Sequence, residues 1–391
     1  MDTNKIFYKT LFKGLFSDAC EIKFWDGETE KYGQGDSKFK IIFNEPISKA
    51  DIIRDPSMAF GEGYMEGKFD IEGSVEDVIQ SLYNNKESFM RNGEKYAKLI
   101  KIIPNSIKKS KKDIKFHYDI GNDFYKLWLD KTMTYSCGYF KSPDDTLEQA
   151  QKNKVEHILK KLSLKKDITL LDIGCGWGEL ITTAAKEYGV KALGVTLSEE
   201  QFKVVKERIK NEGLEGRVDV ILEDYREIKN RTFDRVVSVG MIEHVGKENI
   251  PEYFETVNKL LNKGGISLLH CITGVKKGGT NTWINNYIFP GGYVPAVREL
   301  VDNIAEQDFY LVDAESLRRH YGRTLEHWAV NFENAMDEVK KIKDEPFIRM
   351  WRMYLNACAA SFNSGNIDIH QFVFTKDIND EISWTREYMY K

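Results

Sequence analysis

The stretch ITLLDIGCGWGEL, residues 168–180, carries the strongest fold signal in this sequence. Its first six residues form a short, nearly continuous apolar run, as expected of a strand buried on both faces of a sheet. Gly174, Gly176 and Gly178 follow at once, and a helix is predicted over 178–188. Glycine in such a loop permits a positive φ and lets the backbone approach a ligand closely. The stretch therefore predicts a ligand-binding loop at the carboxyl end of a buried strand.

The segments around this loop alternate between predicted strands and helices. Besides 168–173, strands are predicted at VKALGVT (190–196), RVDVIL (217–222), FDRVVSVG (233–240), GISLLHCI (265–272), DFYLVDAE (308–315) and IHQFVFTK (369–376). Helices are predicted at 198–212, 251–262, 324–343 and 346–362. Because alternation of this kind favours right-handed crossovers, the predicted class is α/β, with a mostly parallel sheet and helices on both faces.

The loop also discriminates between cofactors. Its spacing is G-x-G-x-G, whereas dinucleotide sites typically carry G-x-G-x-x-G and an acid about 20 residues further on. Thr196 stands at that second position, 22 residues after Gly174, and Gln201 lies beyond it. The acid Asp172 instead lies in the end of the first strand. S-adenosylmethionine fits this pattern better than NAD, with its amino-acid portion at the glycine loop and its ribose at the second strand. Another nucleotide is the alternative.

Composition excludes several classes of protein. The chain has 391 residues, 41% hydrophobic and 30% charged, with a formal net charge of -4, as is ordinary for a globular protein of two or three domains. Its five cysteines form no CxxC pair. We therefore expect no metal site, no disulfide framework and a cytoplasmic location. No apolar run reaches the roughly 18 residues of a membrane span, and the N-terminus lacks the apolar centre of a signal peptide.

Residues 1–108 are predicted to form a separate unit. A helix over 5–16 places six apolar side chains on one stripe: Ile6, Phe7, Leu11, Phe12, Leu15 and Phe16. Such a helix either docks on its own domain or lies on a membrane. CEIKFWDG and SKFKIIFNE predict two strands around a glycine-containing turn. GEGYMEGKFDIEG then predicts turns, and Ser74 is a candidate N-cap of the helix that follows.

A basic stretch follows this unit. From Arg91 to Lys115 there are nine Lys and Arg residues against Glu94 and Asp113. The stretch is either a solvated helix and linker or a surface attracted to an anionic membrane. Nucleic acid is not an expected partner, because the rest of the chain is acidic and shows no base-reading motif.

Several motifs together closely resemble the bacterial cyclopropane-fatty-acyl-phospholipid synthases, from about residue 113 to 376. They are HYDIGNDFYKLWLDKTMTYSCGYF, LDIGCGWGEL, GVTLSEEQ, EDYR, FDRVVSVGMIEHVG, NYIFPGGYVPAVREL and YLNACAASF. The resemblance implies a Rossmann-like, seven-stranded class I methyltransferase sheet in a domain 109–391, and a smaller α+β lipid-binding domain, 1–108. It also implies a homodimer held at the inner face of the membrane. The N-terminal domain, absent from related mycolic-acid methyltransferases, favours phospholipid as substrate.

The implied reaction transfers a methylene group from S-adenosylmethionine to the cis double bond of an unsaturated acyl chain. The alkene must be held in line with the sulfonium methyl, and the resulting carbocation must lose a proton to a base in a water-free pocket. The resemblance implies bicarbonate as this base, at a site that corresponds to Cys137, Glu243, His270, Ile272 and Tyr321. The predicted cofactor-binding residues are Tyr135, Ser136, Asp172, Gly174, Gly176, Gly178, Thr196, Leu197, Gln201, Asp224 and Tyr225.

Cys137, in TYSCGYF (134–140), can be a nucleophile, a metal ligand or packing. Methyl transfer needs no covalent enzyme intermediate, and apart from His117, itself 20 residues away, no histidine precedes Cys137 in the sequence. We interpret Cys137 as contributing backbone and shape to the anion pocket. A buried small hydrophobe is the alternative.

Three other functions compete with this interpretation. A lipid methyltransferase can leave a methyl branch, which needs a reductant after the same first step. A small-amine N-methyltransferase can use the same sheet, but Glu243, His270 and Tyr321 argue against it. A non-catalytic lipid-binding protein would not need the intact glycine loop.

Overall fold

The computed structural model of the protein describes residues 3–85, 120–278 and 281–390. Contacts divide the chain into two units. The first consists of Met1–Ile120, Thr280–Pro290 and Leu325–Asn366, and the second of Gly121–Gly279, Gly291–Thr324 and Ile367–Lys391. The basic stretch 91–115 and the predicted domain boundary at 108 lie outside the described residues. Two segments that the sequence analysis assigned to the catalytic domain, 280–290 and 325–366, group with the first unit.

The N-terminal elements form a small four-stranded sheet with helices. They are α1 (Thr3–Phe12), β1 (Cys20–Lys23), β2 (Thr29–Tyr32), β3 (Phe39–Phe43), α2 (Lys49–Arg54), α3 (Pro56–Met65), β4 (Phe69–Glu72) and α4 (Val75–Asn84). The strand order is β2-β1-β3-β4. Both predicted strands are present, as β1 and β3, but no single turn joins them: they are parallel neighbours, and β2, between them in sequence, is the antiparallel partner of β1. The sequence analysis missed β2, whose residues TEKY are polar and largely exposed. It also read as turns the residues GEGYM, which end α3.

The second sheet contains the glycine loop. Its strands are β5 (Thr169–Ile173), β6 (Lys191–Thr196), β7 (Val218–Leu222), β8 (Phe233–Val239), β9 (Leu261–Gly274), β10 (Phe309–Ser316) and β11 (Ile367–Lys376). The order is β10-β11-β9-β8-β5-β6-β7. Strands β5 to β9 are parallel, and β11 runs antiparallel to both of its neighbours. The predicted class, a mostly parallel seven-stranded methyltransferase sheet, is confirmed.

The remaining helices are distributed over the two units. They are α5 (Asn122–Tyr125), α6 (Leu147–Lys161), α7 (Glu179–Tyr188), α8 (Glu199–Asn211), α9 (Ile250–Leu260), α10 (Thr282–Tyr287), α11 (Val297–Glu306), α12 (Arg318–Asn334), α13 (Met336–Ile342), α14 (Glu345–Asn363) and α15 (Glu387–Tyr390). The single helix predicted over 324–343 is two helices, with a break at Ala335. None of the described helices is long and apolar enough to cross a bilayer.

Two apolar clusters enclose the second sheet from its two faces. One contains Ile158 of α6, Ile181 of α7 and Val205 of α8. The other contains Phe254 of α9 and Leu300 of α11. The sheet is therefore covered on both sides, and a ligand can approach only at its edges or at the strand ends.

Helix α1 docks on its own sheet. Tyr8 and Phe12 are buried, and their ring centroids lie 5.2 and 5.8 Å from that of Phe43 in β3. On its other side Lys9 forms ion pairs with Glu28 and Glu30. Of the two alternatives for this helix, the structure therefore shows docking within the first unit.

Helices α4 and α14 pack together in the first unit. Ser74 caps α4 as predicted, since its side chain accepts a hydrogen bond from the backbone N–H of Asp77 at 3.2 Å. Asn363, at the end of α14, donates to Glu76 at 2.8 Å, and Arg349 donates to Asp70 at 2.8 Å. These polar contacts join α14 to elements almost 300 residues earlier in the sequence.

Candidate active site

The glycine loop turns sharply at the end of β5. Gly174, Gly176 and Gly178 have φ values of 80°, 56° and 84°, which favour glycine. The N–H groups of Gly174 and Cys175 both donate to the carbonyl of Val195 in β6, each at 3.0 Å. A Cβ on Gly176 would meet nothing within 4 Å, so the middle of the loop faces open space. This is the backbone cradle that the spacing predicts.

Two opposite charges are buried beside this loop. Asp172, at the end of β5, is 3% exposed, and burial raises the pKa of its carboxyl to about 7 although the Lys154 ammonium lowers it. Lys154, on α6, is also 3% exposed and donates to Ser136 Oγ at 3.1 Å. Burial lowers the pKa of Lys154 to about 8. The sequence analysis missed Lys154, because a lone lysine in a helix carries no signal of burial.

The end of β6 is polar and uncharged. Thr196 Oγ1 donates to Gln201 Oε1 at 2.7 Å and accepts from the N–H of Ser198 at 3.1 Å. Leu197 is 74% exposed. A ribose would therefore meet a hydroxyl and an amide here, where a dinucleotide site would offer a carboxylate.

The end of β7 holds the last two predicted cofactor residues. Asp224 precedes the short 3-10 helix Tyr225–Glu227, and its carboxylate accepts from the Arg226 guanidinium at 2.7 Å. This contact lowers the pKa of Asp224. The ring of Tyr225 lies edge-on to Tyr253, with centroids 5.9 Å apart. These residues reach the same edge of the sheet as Thr196, one strand further out.

Aromatic rings gather beside the glycine loop. Tyr135 lies 5.4 Å, centroid to centroid, from both Tyr125 and Trp128. Tyr125 is in turn 5.6 Å from Trp177, which stands between two of the loop glycines and donates to Asn122 at 3.0 Å. The faces of such rings attract cations, which suits a sulfonium. Of these rings, the predicted cofactor residues include Tyr135 and omit Trp177, although Trp177 lies within the motif LDIGCGWGEL.

Glu243 follows β8, and His270 lies in the neighbouring strand β9, opposite Val239 at the end of β8. Glu243, in the 3-10 helix Ile242–His244, accepts the Ile272 N–H on Oε1 at 2.7 Å. Its Oε2 is buried and has no hydrogen-bond partner among the described residues. Burial raises the pKa of this carboxyl to about 7. Of the predicted anion-site residues, Glu243 contacts the backbone of Ile272, and His270 lies two residues earlier on the same strand.

His270 is fully buried in β9 and leaves a hydrogen-bond donor unused. Gln371 Nε2, on the adjacent strand β11, lies 3.0 Å from His270 Nδ1. Burial lowers the pKa of the imidazole well below its usual value, so the ring is neutral. With Gln371 donating to Nδ1, the ring proton lies on Nε2, and that buried nitrogen has no partner among the described residues.

Cys137 and Tyr321 lie on two segments that are joined by a hydrogen bond between Gly138 and Thr324. The Cys137 thiol is fully buried, donates to the carbonyl of Gly138 at 3.2 Å, and has a pKa raised by burial. It therefore stays protonated, which agrees with packing and not with a nucleophile. The Gly138 N–H donates at 3.0 Å to Thr324 on α12, the helix that also carries Tyr321. The sequence analysis placed Tyr321 before this helix, and it lies inside the first turns.

Comparison with known proteins identifies the family. The family model described as mycolic acid cyclopropane synthetase matches residues 105–372. The chain belongs to this family. A second family model, described as a domain of unknown function, matches residues 7–94.

Members of this family resemble the chain over most of its length. Cyclopropane-fatty-acyl-phospholipid synthase of Escherichia coli (strain K12) is 39% identical over 358 residues, 90% of this chain and 92% of that protein. A probable fatty acid methyltransferase of Pseudomonas putida is 38% identical over 384 residues, 95% of this chain and 96% of that protein. The crystal structure of mycolic acid cyclopropane synthase CmaA1, complexed with SAH and CTAB, has a TM-score of 0.64 at 34% identity and covers 67% of this chain and 97% of that chain.

This family member is an S-adenosylmethionine-dependent methyltransferase. Its own residues fit that cofactor, since an open glycine loop follows β5 and a neutral polar pair follows β6. Aromatic rings and a buried pair of opposite charges flank the loop. The separate roles of the residues named above stay predictions.

Proposed function

We propose that the protein transfers a methylene group from S-adenosylmethionine to the cis double bond of unsaturated acyl chains in membrane phospholipids, forming a cyclopropane ring. Bound bicarbonate is the proposed general base. The Escherichia coli relative bears the name of this activity and shares 39% of aligned residues. The observation that carries the proposal is the pair of unpartnered, buried polar atoms, Glu243 Oε2 and His270 Nε2.

The pair suits bicarbonate because it offers one acceptor and one donor. A carboxylate oxygen accepts a hydrogen bond from the O–H of the anion, whereas the Nε2–H of a neutral imidazole donates to one of its oxygens. Leaving both atoms buried without partners costs roughly 1–3 kcal/mol each, so the site is suited to a small polar guest. Two bare negative charges would repel in this apolar pocket, and the raised pKa of Glu243, about 7, reflects the same cost of burying charge.

In this scheme one part of the site binds the cofactor and another part binds the base. S-adenosylmethionine, when bound at the glycine loop, supplies an electrophilic methyl group. Glu243 and His270 hold the base and keep one anion oxygen available for the proton that leaves the added carbon. Glu243 thus organises the base and is not itself the base. Cys137, fully buried as a thiol, fills space in the pocket and excludes water.

Phospholipid as substrate implies that the protein reaches a bilayer surface from the cytoplasmic side. Helix α1 is not available for this, because it is docked on its own sheet. The basic sequence 91–115 is the remaining candidate, with nine Lys and Arg residues. Vesicle binding that weakens with added salt would support this part of the proposal, because exposed charges are screened over about 8–10 Å at physiological ionic strength.

Lipid mass spectrometry tests the reaction itself. Purified protein, S-adenosylmethionine and vesicles of monounsaturated phospholipid should give acyl chains that gain one CH2 and resist hydrogenation as rings. Carbonate-depleted buffer should suppress the reaction, and added bicarbonate should restore it. A rate that depletion leaves unchanged would remove bicarbonate and make Glu243 the leading candidate for the base.

A methyl-branched product is the second candidate. The Pseudomonas putida relative is named a probable fatty acid methyltransferase, and it matches 95% of this chain. Branching would need a reductant after the same methyl transfer. The same assay separates the two products, since a saturated methyl branch carries two more hydrogens than a cyclopropane.

A further inference from the structure

Lys154 is a buried cation that forms no ion pair with any carboxylate of the described residues. Its ammonium makes one hydrogen bond, to the neutral Ser136 Oγ at 3.1 Å, and is 3% exposed. No carboxylate of the described residues lies within ion-pair distance of its Nζ. Because a buried charge without a partner is costly, either the amine is neutral or an anion completes the site.

Three carboxylates act on the charge of Lys154, and two of them are hydrogen-bonded to other groups. Asp130 accepts hydrogen bonds from the Thr132 and Thr134 N–H groups at 2.9 and 3.0 Å. Glu179, at the start of α7, is bonded to Arg208. Asp172, the third of these acids, is buried at the base of the glycine loop. Lys154 and Asp172 are thus two buried opposite charges on the protein side of the cofactor loop.

We infer that Lys154 binds the α-carboxylate of the methionyl portion of S-adenosylmethionine. The methionyl portion is a zwitterion, with a carboxylate and an ammonium on one carbon. Lys154 matches the carboxylate, and Asp172 matches the ammonium. Lys154 also positions Ser136. The Lys154 ammonium donates to the Ser136 hydroxyl, and the Gln151 amide donates to the Ser136 backbone carbonyl at 2.8 Å, so these two hydrogen bonds fix the segment before Cys137.

Bicarbonate is the competing anion, and geometry favours the cofactor. Lys154 contacts Ser136, a predicted cofactor residue, and two of the three carboxylates that act on it, Asp172 and Glu179, adjoin the glycine loop. Glu243 instead contacts the backbone of Ile272 on β9. The Lys154 charge also acts on Cys137 and His270 of the predicted anion site, so its direct hydrogen bond to Ser136 is the observation that assigns it to the cofactor.

Calorimetry with two ligands tests this assignment. Decarboxylated S-adenosylmethionine keeps the ammonium and the sulfonium and lacks only the carboxylate. The wild type should bind S-adenosylmethionine roughly 10- to 100-fold more tightly than the decarboxylated ligand, as expected for a charge-assisted hydrogen bond. Lys154→Met should lose that preference, with unchanged affinity for the decarboxylated ligand. Lys152→Met, on the exposed side of the same helix, should keep the wild-type preference.

Three outcomes would overturn the inference. The first is equal wild-type affinity for the two ligands, which needs no variant. The second is an equal loss of both ligands in Lys154→Met, which assigns the lysine a general role in holding Ser136. The third is an unchanged ligand preference in that variant together with a higher bicarbonate requirement, which assigns the ammonium to the anion pocket. If Lys154→Met does not fold, Lys154→Gln is measured with the same two ligands.

Discussion

Two buried polar clusters in the sheet unit differ in whether their groups have partners. In the first, Lys161 is fully buried and contacts Asp313 at 3.2 Å and Glu315 at 2.5 Å. His157 contacts Glu315 at 2.7 Å, and Arg386 contacts Asp313 at 2.7 Å. In the second, Glu243 Oε2 and His270 Nε2 have no partner among the described residues. Burial alone therefore does not distinguish a site from a structural network, and these two clusters differ in whether the hydrogen-bonding capacity of their groups is met.

The pKa values express the same difference. Burial would raise the pKa of Glu315, but His157 and Lys161 lower it to about 2. Burial raises the pKa of Glu243 to about 7, and only backbone N–H groups, those of Ile272 and of Glu243 itself, oppose it. The Glu315 carboxylate is stabilised as an anion by His157 and Lys161. The Glu243 carboxylate keeps one oxygen that can accept a hydrogen bond from a ligand.

The largest predicted effect on activity comes from Glu243→Gln. The amide keeps the shape but offers a neutral acceptor and a new donor, so the anion should be held loosely or turned. Turnover should fall by about 10²–10⁴-fold, the typical contribution of a positioned general base. Calorimetry should show unchanged affinity for S-adenosylmethionine. Glu299→Gln, a buried carboxylate already bonded to Tyr293, is the matched control and should keep its activity. Equal turnover in the two variants would contradict the role given to the unpartnered oxygen.

Lys161→Met should show the opposite pattern, a loss of stability with retained chemistry. Removing the lysine leaves the buried Asp313 and the half-buried Glu315 with fewer counter-charges, and loss of one partner costs about 3–5 kcal/mol in fully buried pairs. Denaturant unfolding measures this loss, and turnover per folded molecule at low temperature should stay within about threefold of wild type. A large fall in turnover of the folded variant would show that the paired cluster also serves catalysis.

Asp172→Asn should stabilise the ligand-free protein and weaken cofactor binding. The Asp172 carboxyl has a pKa raised from 3.8 to about 7, so the folded state binds its proton more tightly than the unfolded state. The resulting cost is absent below about pH 4, grows as the pH rises to about 7, and is constant above. Each tenfold change in the ionisation equilibrium corresponds to about 1.4 kcal/mol, so the variant should gain roughly 2–4 kcal/mol at pH 8. Melting curves from pH 4 to 8 measure the gain, and a gain independent of pH would contradict the raised pKa.

Local sequence was enough to predict the core of the sheet. Strands β5 to β8 lie within one residue of their predicted bounds, because each is a short apolar run beside a helix with a 3.6-residue period. Strand β9 is longer than predicted, since it begins at Leu261 directly after α9. The polar strand β2 and the helical GEGYM carried no such pattern, so tertiary contacts decided their structure.

The pairing of distant residues could not be predicted in the same way. Gln371 lies opposite His270 only because β11 pairs with β9 in that register, about 100 residues apart in sequence. The burial of Lys154 follows from the packing of α6 against the sheet. In both cases the residue type was visible, but its neighbours depend on register and packing, which a single sequence does not specify.

The smallest predicted effect on turnover is that of Cys137→Ala. This variant tests whether a buried thiol that already has a hydrogen-bond partner contributes to the chemistry. The thiol is fully buried, its pKa is raised by burial, and it donates to the Gly138 carbonyl. Alanine removes one sulfur from a packed wall, so stability should fall by about 1–2 kcal/mol and turnover by less than about tenfold. Residual turnover can come from the intact Glu243 and His270 pair. A loss as large as that of Glu243→Gln, with the fold intact by near-ultraviolet circular dichroism, would contradict the packing role and place Cys137 among the groups that act on the reacting atoms.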